Sequence, residues 1–174
     1  MDARRRLLPA VLVACAALAH DAAAQTFAVT AEVVPGCAFV GAPASAHLDL
    51  GTLNYGVHPA VHAGPLTAST IASGSAPVRL ECTPGLELQV SVDAGEHGAG
   101  GQRRLGLEGG GALVPYSLFT SAALDTPLPI GALVGIEVPA TGVLDLPIHG
   151  SLTLPGLGLA PGVYSDTLQV TLTW

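Results

Sequence analysis

Apolar and polar residues alternate along residues 164–174 of this 174-residue chain. The apolar face consists of Tyr164, Leu168, Val170, Leu172 and Trp174. Only Asp166 interrupts this row. Because successive side chains of a β-strand point to opposite faces, the pattern predicts a strand with one face in a core and the other in water. Trp174 is the last residue, so we expect that a sheet needing one more strand would take it from another molecule.

Residues 1–24 have the features of an export signal. A basic start at Arg4–Arg6 precedes the apolar run Leu7–Ala19, and Ala22–Ala24 fits the small-residue cleavage rule. The run is too short for a membrane-spanning helix, which needs about 20 apolar residues. We therefore expect the exported protein to begin at Gln25. A second interpretation remains open, in which Leu12–Cys15 is a lipoprotein cleavage box and Cys15 is lipidated.

The charge of the chain limits its partners. The formal net charge is −7, and arginine supplies every basic side chain. Three of the arginines lie in the export signal. Nucleic acids and anionic membrane surfaces bind basic patches, so the sequence predicts no nucleic-acid partner. The acidic balance identifies no particular positive partner.

The two cysteines outside the export signal are Cys37 and Cys82. In an oxidising compartment an isolated pair is most simply a disulfide. Free thiols and a metal site are the alternatives, and neither has supporting ligands nearby in the sequence.

Short Val, Leu and Thr runs, separated by 22 glycines and 14 prolines, indicate a single all-β domain. The predicted strands are Phe27–Val34, His47–Leu50, Leu66–Ala72, Val78–Cys82, Glu87–Asp93, Leu113–Phe119, Gly142–Leu152 and Val163–Trp174. We expect a tight turn at Thr83–Gly85. We also expect a long hairpin tip at Gly95–Gly101.

The first predicted strand mirrors the last, because Phe27, Val29, Ala31 and Val33 share one face. One interpretation is an ordinary first strand of a sandwich. The other is an amphipathic strand that leaves its own domain and adds to the sheet edge of another chain. Chaperone–pilin complementation is a general example of this mode of recognition.

Several blocks, in order along the chain, resemble one family. They are Gly51–Gly56, Arg79–Thr83, Gln89–Gly95, Val114–Leu118, Pro147–Gly150 and Gly162–Thr167. These residues resemble the spore coat protein U domain family, which includes pilins of archaic chaperone–usher pili. Trp174 stands where a terminal phenylalanine is usual in that family.

The resemblance implies an incomplete immunoglobulin-like β-sandwich that lacks its final strand and is completed by donor-strand complementation. It divides the chain into a signal (1–24), an N-terminal donor or first strand (25–34) and the pilin domain (35–174). Phe27, Val29, Ala31 and Val33 would be the donor residues, and the Tyr164–Trp174 strand would border the acceptor groove. The resemblance also implies that Cys37 pairs with Cys82.

The implied role is a subunit of a surface fibre of a Gram-negative bacterium, exported through the periplasm and serving adhesion or biofilm formation. Its partners would be a periplasmic pilus chaperone, an outer-membrane usher and neighbouring subunits. The alternative is a self-contained secreted coat or binding protein of the same fold, with the N-terminal strand paired inside its own domain.

No catalytic site or cofactor is expected. The spacing of His58 and His62 would suit a metal site on a helix, but their segment has no helical pattern, so no metal site is predicted there. Asp166 is expected to hydrogen-bond backbone groups near the start of the last strand. Tyr164 is expected to fix the preceding loop, as in a tyrosine corner.

Overall fold

A computed structural model of the chain describes residues 25–40, 50–70, 79–146 and 148–174. The chain divides into two compact units, residues 1–33 and residues 34–174. In the first unit, residues 25–33 form no strand and their side chains are exposed. The predicted export signal and the lipidation at Cys15 lie outside the described residues. Within the described ranges, no helix is long and apolar enough to cross a membrane.

The second unit is built from antiparallel strands. They are β1 (Cys37–Phe39), β2 (Ala63–Ser69), β3 (Arg79–Cys82), β4 (Glu87–Val92), β5 (Arg103–Leu107), β6 (Leu113–Phe119), β7 (Val134–Glu137), β8 (Val143–Asp145), β9 (His149–Pro155), β10 (Tyr164–Ser165) and β11 (Val170–Thr173). The all-β class predicted from the sequence is confirmed.

Five of these strands form one sheet in the order β10-β5-β6-β9-β2. The other six form two three-stranded sheets, β1-β3-β8 and β11-β4-β7. Backbone hydrogen bonds from Gly85 to Val138 (3.1 Å) and from Val138 to Leu86 (2.8 Å) continue the pairing between them. The two three-stranded sheets therefore act as one bent ladder, with β3 and β4 in its middle.

The core lies between the five-stranded sheet and this ladder. From the ladder, Leu80, Leu88, Val90 and Val92 are completely buried. From the five-stranded sheet, the buried set includes Val114, Tyr116, Leu118 and Leu152. All of them belong to one cluster. Each fully buried Val or Leu side chain contributes roughly 1.5–3 kcal/mol relative to exposure, so this shared core holds the layers together.

Several predicted strands are confirmed. The strand Leu113–Phe119 has the predicted bounds. The predicted Glu87–Asp93 matches β4, which ends one residue earlier at Val92. The predictions Val78–Cys82 and Leu66–Ala72 overlap β3 and β2, and residues 78 and 71–72 at their ends lie outside the described part of the chain.

Other predictions were wrong. Phe27–Val34 forms no strand. The predicted Gly142–Leu152 is two strands, β8 and β9, and the predicted Val163–Trp174 is likewise divided into β10 and β11. Leu50 is not in a strand, and the rest of the predicted His47–Leu50 lies outside the described residues.

The Gly95–Gly101 segment is not a hairpin tip. The strands on either side of it, β4 and β5, belong to different sheets, so the segment crosses from one layer to the other. The Thr83–Gly85 turn is confirmed: the Leu86 amide donates to the Thr83 carbonyl at 3.2 Å, and Gly85 has a φ of +75°, which glycine adopts without strain. Strands β1, β5 and β7 were not predicted.

Candidate functional site

The last strand of the bent ladder has a free edge. Among the described strands, β11 pairs with β4 alone. The inward residues of β4, Leu88, Val90 and Val92, are 0 % exposed, whereas the inward residues Val170 and Leu172 of β11 are only half-buried. A row of apolar side chains in contact with the core is therefore left partly open to solvent.

Strand β1 continues this edge. Because β7 and β8 follow each other along one side of the β3–β4 ladder, β1 and β11 both lie along the other side. The indole nitrogen of Trp174 lies 3.1 Å from the position of a Cβ on Gly36, which brings the two strands end to end. We call the half-buried row formed by Leu168, Val170, Leu172 and Phe39 the edge row.

A covalent bond and a turn hold β1 in place. Cys37 and Cys82 form a disulfide, as predicted, between directly paired positions of β1 and β3. Next to it, the Thr83 amide donates to the Gly36 carbonyl at 2.9 Å, and the Gly36 amide donates to the Thr83 hydroxyl at 3.1 Å. The start of β1 is thus fixed to the ladder from two sides.

Leu53 and Tyr55 enter the core from a segment that is not a strand. They alternate with exposed Thr52 and Asn54, and both pack against the buried cluster. A Cβ added to Gly150 of β9 would collide with the Tyr55 hydroxyl. Burial raises the pKa of Tyr55 to about 12, and its hydroxyl has no hydrogen-bond partner among the described residues. In the sequence, Gly51–Gly56 was noted only as a segment that resembles a known family. The contact of Tyr55 with Gly150 was not predicted.

Asp166 lies at the centre of a buried polar cluster. Its side chain is 2 % exposed. It accepts hydrogen bonds from the Tyr116 hydroxyl (2.7 Å), the His97 amide (3.2 Å) and the His97 Nδ1 (3.3 Å). Gly95 has no space for a Cβ, because one would collide with the Asp166 carboxylate. Asp166 was predicted to hydrogen-bond backbone groups, and it does so. The donor is the His97 amide in the loop between β4 and β5, and not a group near the start of the last strand.

This cluster lies where the chain crosses from β10 in the five-stranded sheet to β11 in the ladder. Strand β10 pairs with β5, and β11 pairs with β4. In the segment between them, the Gln169 amide donates to the Asp93 carboxylate at 3.0 Å. The Glu96 amide donates to the Thr167 carbonyl at 3.3 Å. The path of residues 166–169 is therefore fixed by the loop that also crosses between the layers, and the edge row begins within this segment, at Leu168.

Arg103 is a buried cation in the same region and is 4 % exposed. Its guanidinium donates to the carbonyls of Val92 (2.8 Å) and Asp93 (2.7 Å) in the ladder. It also donates to the carbonyls of Leu128 (2.7 Å) and Pro129 (3.3 Å). Burial lowers the pKa of Arg103, against the opposing influence of nearby Tyr116, Asp93 and Asp166. Sequence reasoning missed this residue because it interrupts the apolar pattern of β5.

Tyr164 behaves as expected but is separated from the other predicted groove residues. Its hydroxyl donates to the Ala160 carbonyl at 2.9 Å and so fixes the preceding loop. The strand that carries it, β10, belongs to the five-stranded sheet, whereas Leu168, Val170, Leu172 and Trp174 lie along or beside the ladder. The predicted row is therefore divided between the two layers.

The N-terminal apolar row is exposed. Phe27, Val29 and Val33 are 87 %, 82 % and 95 % exposed, and Ala31 is exposed as well. Four apolar side chains at alternate positions are therefore exposed to solvent.

One comparison with known proteins identifies a family. The family model named Spore Coat Protein U domain matches residues 23–171. No curated protein matches the chain.

Two solved structures are similar to the chain. One is the CsuC–CsuE chaperone–tip adhesion subunit pre-assembly complex from archaic chaperone–usher Csu pili of Acinetobacter baumannii, with 15 % identity and a TM-score of 0.43. The other is a chaperone–tip adhesin complex of CFA/I fimbriae biogenesis, with 16 % identity and a TM-score of 0.42. The matches cover 82 % and 80 % of this chain, but only 40 % and 41 % of the chains it matches.

Proposed function

Because this chain belongs to the spore coat protein U domain family, we propose that it is a structural subunit of a secreted cell-surface fibre. The fibre is an archaic chaperone–usher pilus assembled by donor-strand exchange, and it serves adhesion or biofilm formation. In this assembly, the N-terminal segment of one subunit pairs with the open sheet edge of the next. The role is structural rather than enzymatic.

The observation that carries the proposal is the edge row. Val170 and Leu172 are half-buried on a strand that pairs on one side only among the described strands, while their β4 partners are completely buried. Covering such a row stabilises by about 25 cal/mol per Å² of apolar area removed from water. An open edge also presents unpaired backbone groups that accept another strand. Both forces favour the addition of one amphipathic strand.

The N-terminal row has the matching chemistry. Phe27, Val29, Ala31 and Val33 occupy alternate positions, so in an extended conformation they point to one side and fit a row of half-buried apolar positions. Thr26, Thr30 and Glu32 then point to solvent. These residues are the proposed donor strand, and Leu168, Val170, Leu172 and Trp174 are the proposed acceptor side.

The proposal requires three partners. A periplasmic pilus chaperone covers the edge row during transit, an outer-membrane usher passes the subunit to the surface, and neighbouring subunits cover the row in the fibre. A self-contained secreted coat or binding protein remains the alternative. That alternative needs the N-terminal segment to pair within its own domain, and residues 25–33 form no strand.

The test is a matched pair of double variants in a strain that assembles the fibre. In the first, Val29→Asp and Val33→Asp place charges on the proposed inward face. In the second, Ala28→Asp and Thr30→Asp place the same charges on the outward face of the same segment. We expect the inward pair to abolish polymers that resist sodium dodecyl sulfate, and the outward pair to leave them. Burial of an unpaired carboxylate in an apolar groove is the physical reason.

Deletion of residues 25–33 provides the second arm. If polymers still form without these residues, or if both double variants assemble equally, the donor assignment is wrong. Export of a stable monomer with a cooperative melt, in cells lacking any pilus chaperone, would favour the self-contained alternative.

A further inference from the structure

A tight turn brings two histidines together at the start of β2. The His62 amide donates to the Pro59 carbonyl at 2.8 Å, which closes a four-residue turn over residues 59–62. The turn reverses the chain, so that the residue before it, His58, faces His62. This segment has no helical pattern, but the turn brings the two side chains together without a helix.

The distance between the rings is that of two ligands on one metal ion. The ring centroids of His58 and His62 lie 4.9 Å apart, with the ring planes inclined by 38°. A metal–nitrogen bond of about 2.1 Å puts the ion roughly 3.2 Å from an imidazole centre. Two rings at tetrahedral or square-planar angles then have centres about 4.5–5.2 Å apart. The observed separation falls inside this range before any ion is bound.

One of the rings is held in place by a hydrogen bond to the backbone. The His58 Nε2 lies 2.7 Å from the Tyr55 carbonyl oxygen. A carbonyl only accepts hydrogen bonds, so Nε2 carries the proton and, in the neutral ring, Nδ1 keeps its lone pair. Metal-binding histidines commonly donate their second ring nitrogen to a backbone carbonyl in this way, which fixes both tautomer and direction.

We propose that His58 and His62 form a two-histidine site for a divalent transition-metal ion of the kind that imidazole prefers, namely Cu²⁺, Ni²⁺ or Zn²⁺. No group of three or more His, Cys, Asp or Glu side chains occurs among the described residues, so water fills the remaining coordination positions. Val57 and Val61, which flank the histidines, are exposed, and the site is open to ions in solution. The site is independent of the proposed fibre assembly, since neither histidine belongs to the edge row or to the N-terminal row.

The test is calorimetric titration of the exported chain with copper, nickel and zinc chlorides, with calcium chloride as a hard cation that prefers oxygen ligands. We expect one transition-metal ion per chain, bound most tightly for copper, and no binding of calcium. His58→Ala and His62→Ala should each lower the affinity by about tenfold or more. Val61→Ala, which changes the same turn but keeps both rings, is the matched control and should bind as the unaltered chain does.

A spectroscopic measurement separates ligation from a change in folding. In the copper-loaded chain, electron paramagnetic resonance should show coupling to two nitrogens, and His58→Ala should reduce the signal to one. Binding that is absent, or that is equal in the unaltered chain and both histidine variants, would overturn the proposal.

Discussion

The Tyr116 hydroxyl donates a 2.7 Å hydrogen bond to the buried carboxylate of Asp166 and thereby joins β6 to the segment between β10 and β11. This contact holds residues 166–169 at the point from which β11 leaves for the ladder. The proposed edge row depends on that crossing, because the direction of β11 is set by the residues immediately before it. The buried carboxylate is therefore a structural requirement of the proposed binding surface.

Tyr116→Phe should lower the free energy of unfolding by about 1–3 kcal/mol, because it removes the hydroxyl that donates a hydrogen bond to a buried carboxyl group. The matched control is Tyr164→Phe, which removes a hydroxyl that bonds the Ala160 carbonyl at an exposed position. We expect this second change to cost less. Chemical denaturation of both variants measures the difference. Equal losses in the free energy of unfolding would show that the hydrogen bond to Asp166 stabilises no more than the exposed one.

Alkaline pH should destabilise the protein through its buried tyrosines. Burial raises the pKa of Tyr55 to about 12, and burial together with the hydrogen bond to Asp166 raises the pKa of Tyr116 further. In the unfolded chain both phenols ionise near pH 10. Their contribution to stability is therefore fully present below about pH 10 and is lost as the pH rises toward the folded values, because only the unfolded state releases these protons.

The measurement is a pair of alkaline titrations. Ultraviolet absorbance should show that Tyr55 and Tyr116 ionise above the pH at which free tyrosine does, and the melting temperature should fall over the same interval. Tyr55→Phe should weaken this fall. Ionisation of all three tyrosines near about pH 10 with an unchanged melt would contradict the burial described here.

The sequence predicted those strands whose apolar residues alternate without interruption. Leu113–Phe119 is one of these, with Val114, Tyr116 and Leu118 inward. Strand β5 was missed because it begins with Arg103, a residue that a hydrophobic pattern places outside. Arg103 is inside because four backbone carbonyls accept hydrogen bonds from its guanidinium, and these acceptors are brought together only by the folded chain.

The candidate site also depends on contacts that only the folded chain brings together. Alternation correctly placed Val170 and Leu172 on an inward face, but it joined them to Tyr164 in one strand. The break arises because Asp166 turns toward Tyr116 and His97, which are distant in sequence. Likewise, no local pattern pairs Tyr55 with Gly150. Contacts between residues far apart in sequence decide both features, and a periodicity of two contains no information about them.

Gly150→Ala should destabilise the domain by about 1–3 kcal/mol, because the added methyl group would overlap the Tyr55 hydroxyl. Within the described ranges that hydroxyl has no hydrogen-bond partner, so Tyr55→Phe alone should cost little. In the double variant the methyl group occupies part of the space that the hydroxyl leaves, and we expect much of the loss to be recovered. Denaturation of the two single variants and the double variant measures the coupling, and simple additivity would argue against this contact.

Arg103→Lys should cost at least about 2 kcal/mol, because an ammonium group cannot reproduce the planar set of donors that reaches carbonyls on both sides of it. The adjacent Arg104 provides the control, since its Nε makes no hydrogen bond to any part of the chain that the structure describes. Arg104→Lys should leave the free energy of unfolding nearly unchanged. If both substitutions have the same effect, the four carbonyl contacts of Arg103 do not explain its burial.

Trp174 should report the arrival of a donor strand, because it is the single tryptophan of the chain and lies beside Gly36 at the junction of β11 and β1. It is 52 % exposed. A strand added along the edge row would cover the indole and move it into an apolar environment. In polymers formed by this chain alone, we expect tryptophan emission to shift to shorter wavelength and acrylamide quenching to fall, relative to the Val29→Asp, Val33→Asp variant. Equal emission and quenching in the two samples would show that the donor strand does not reach this end of the edge row.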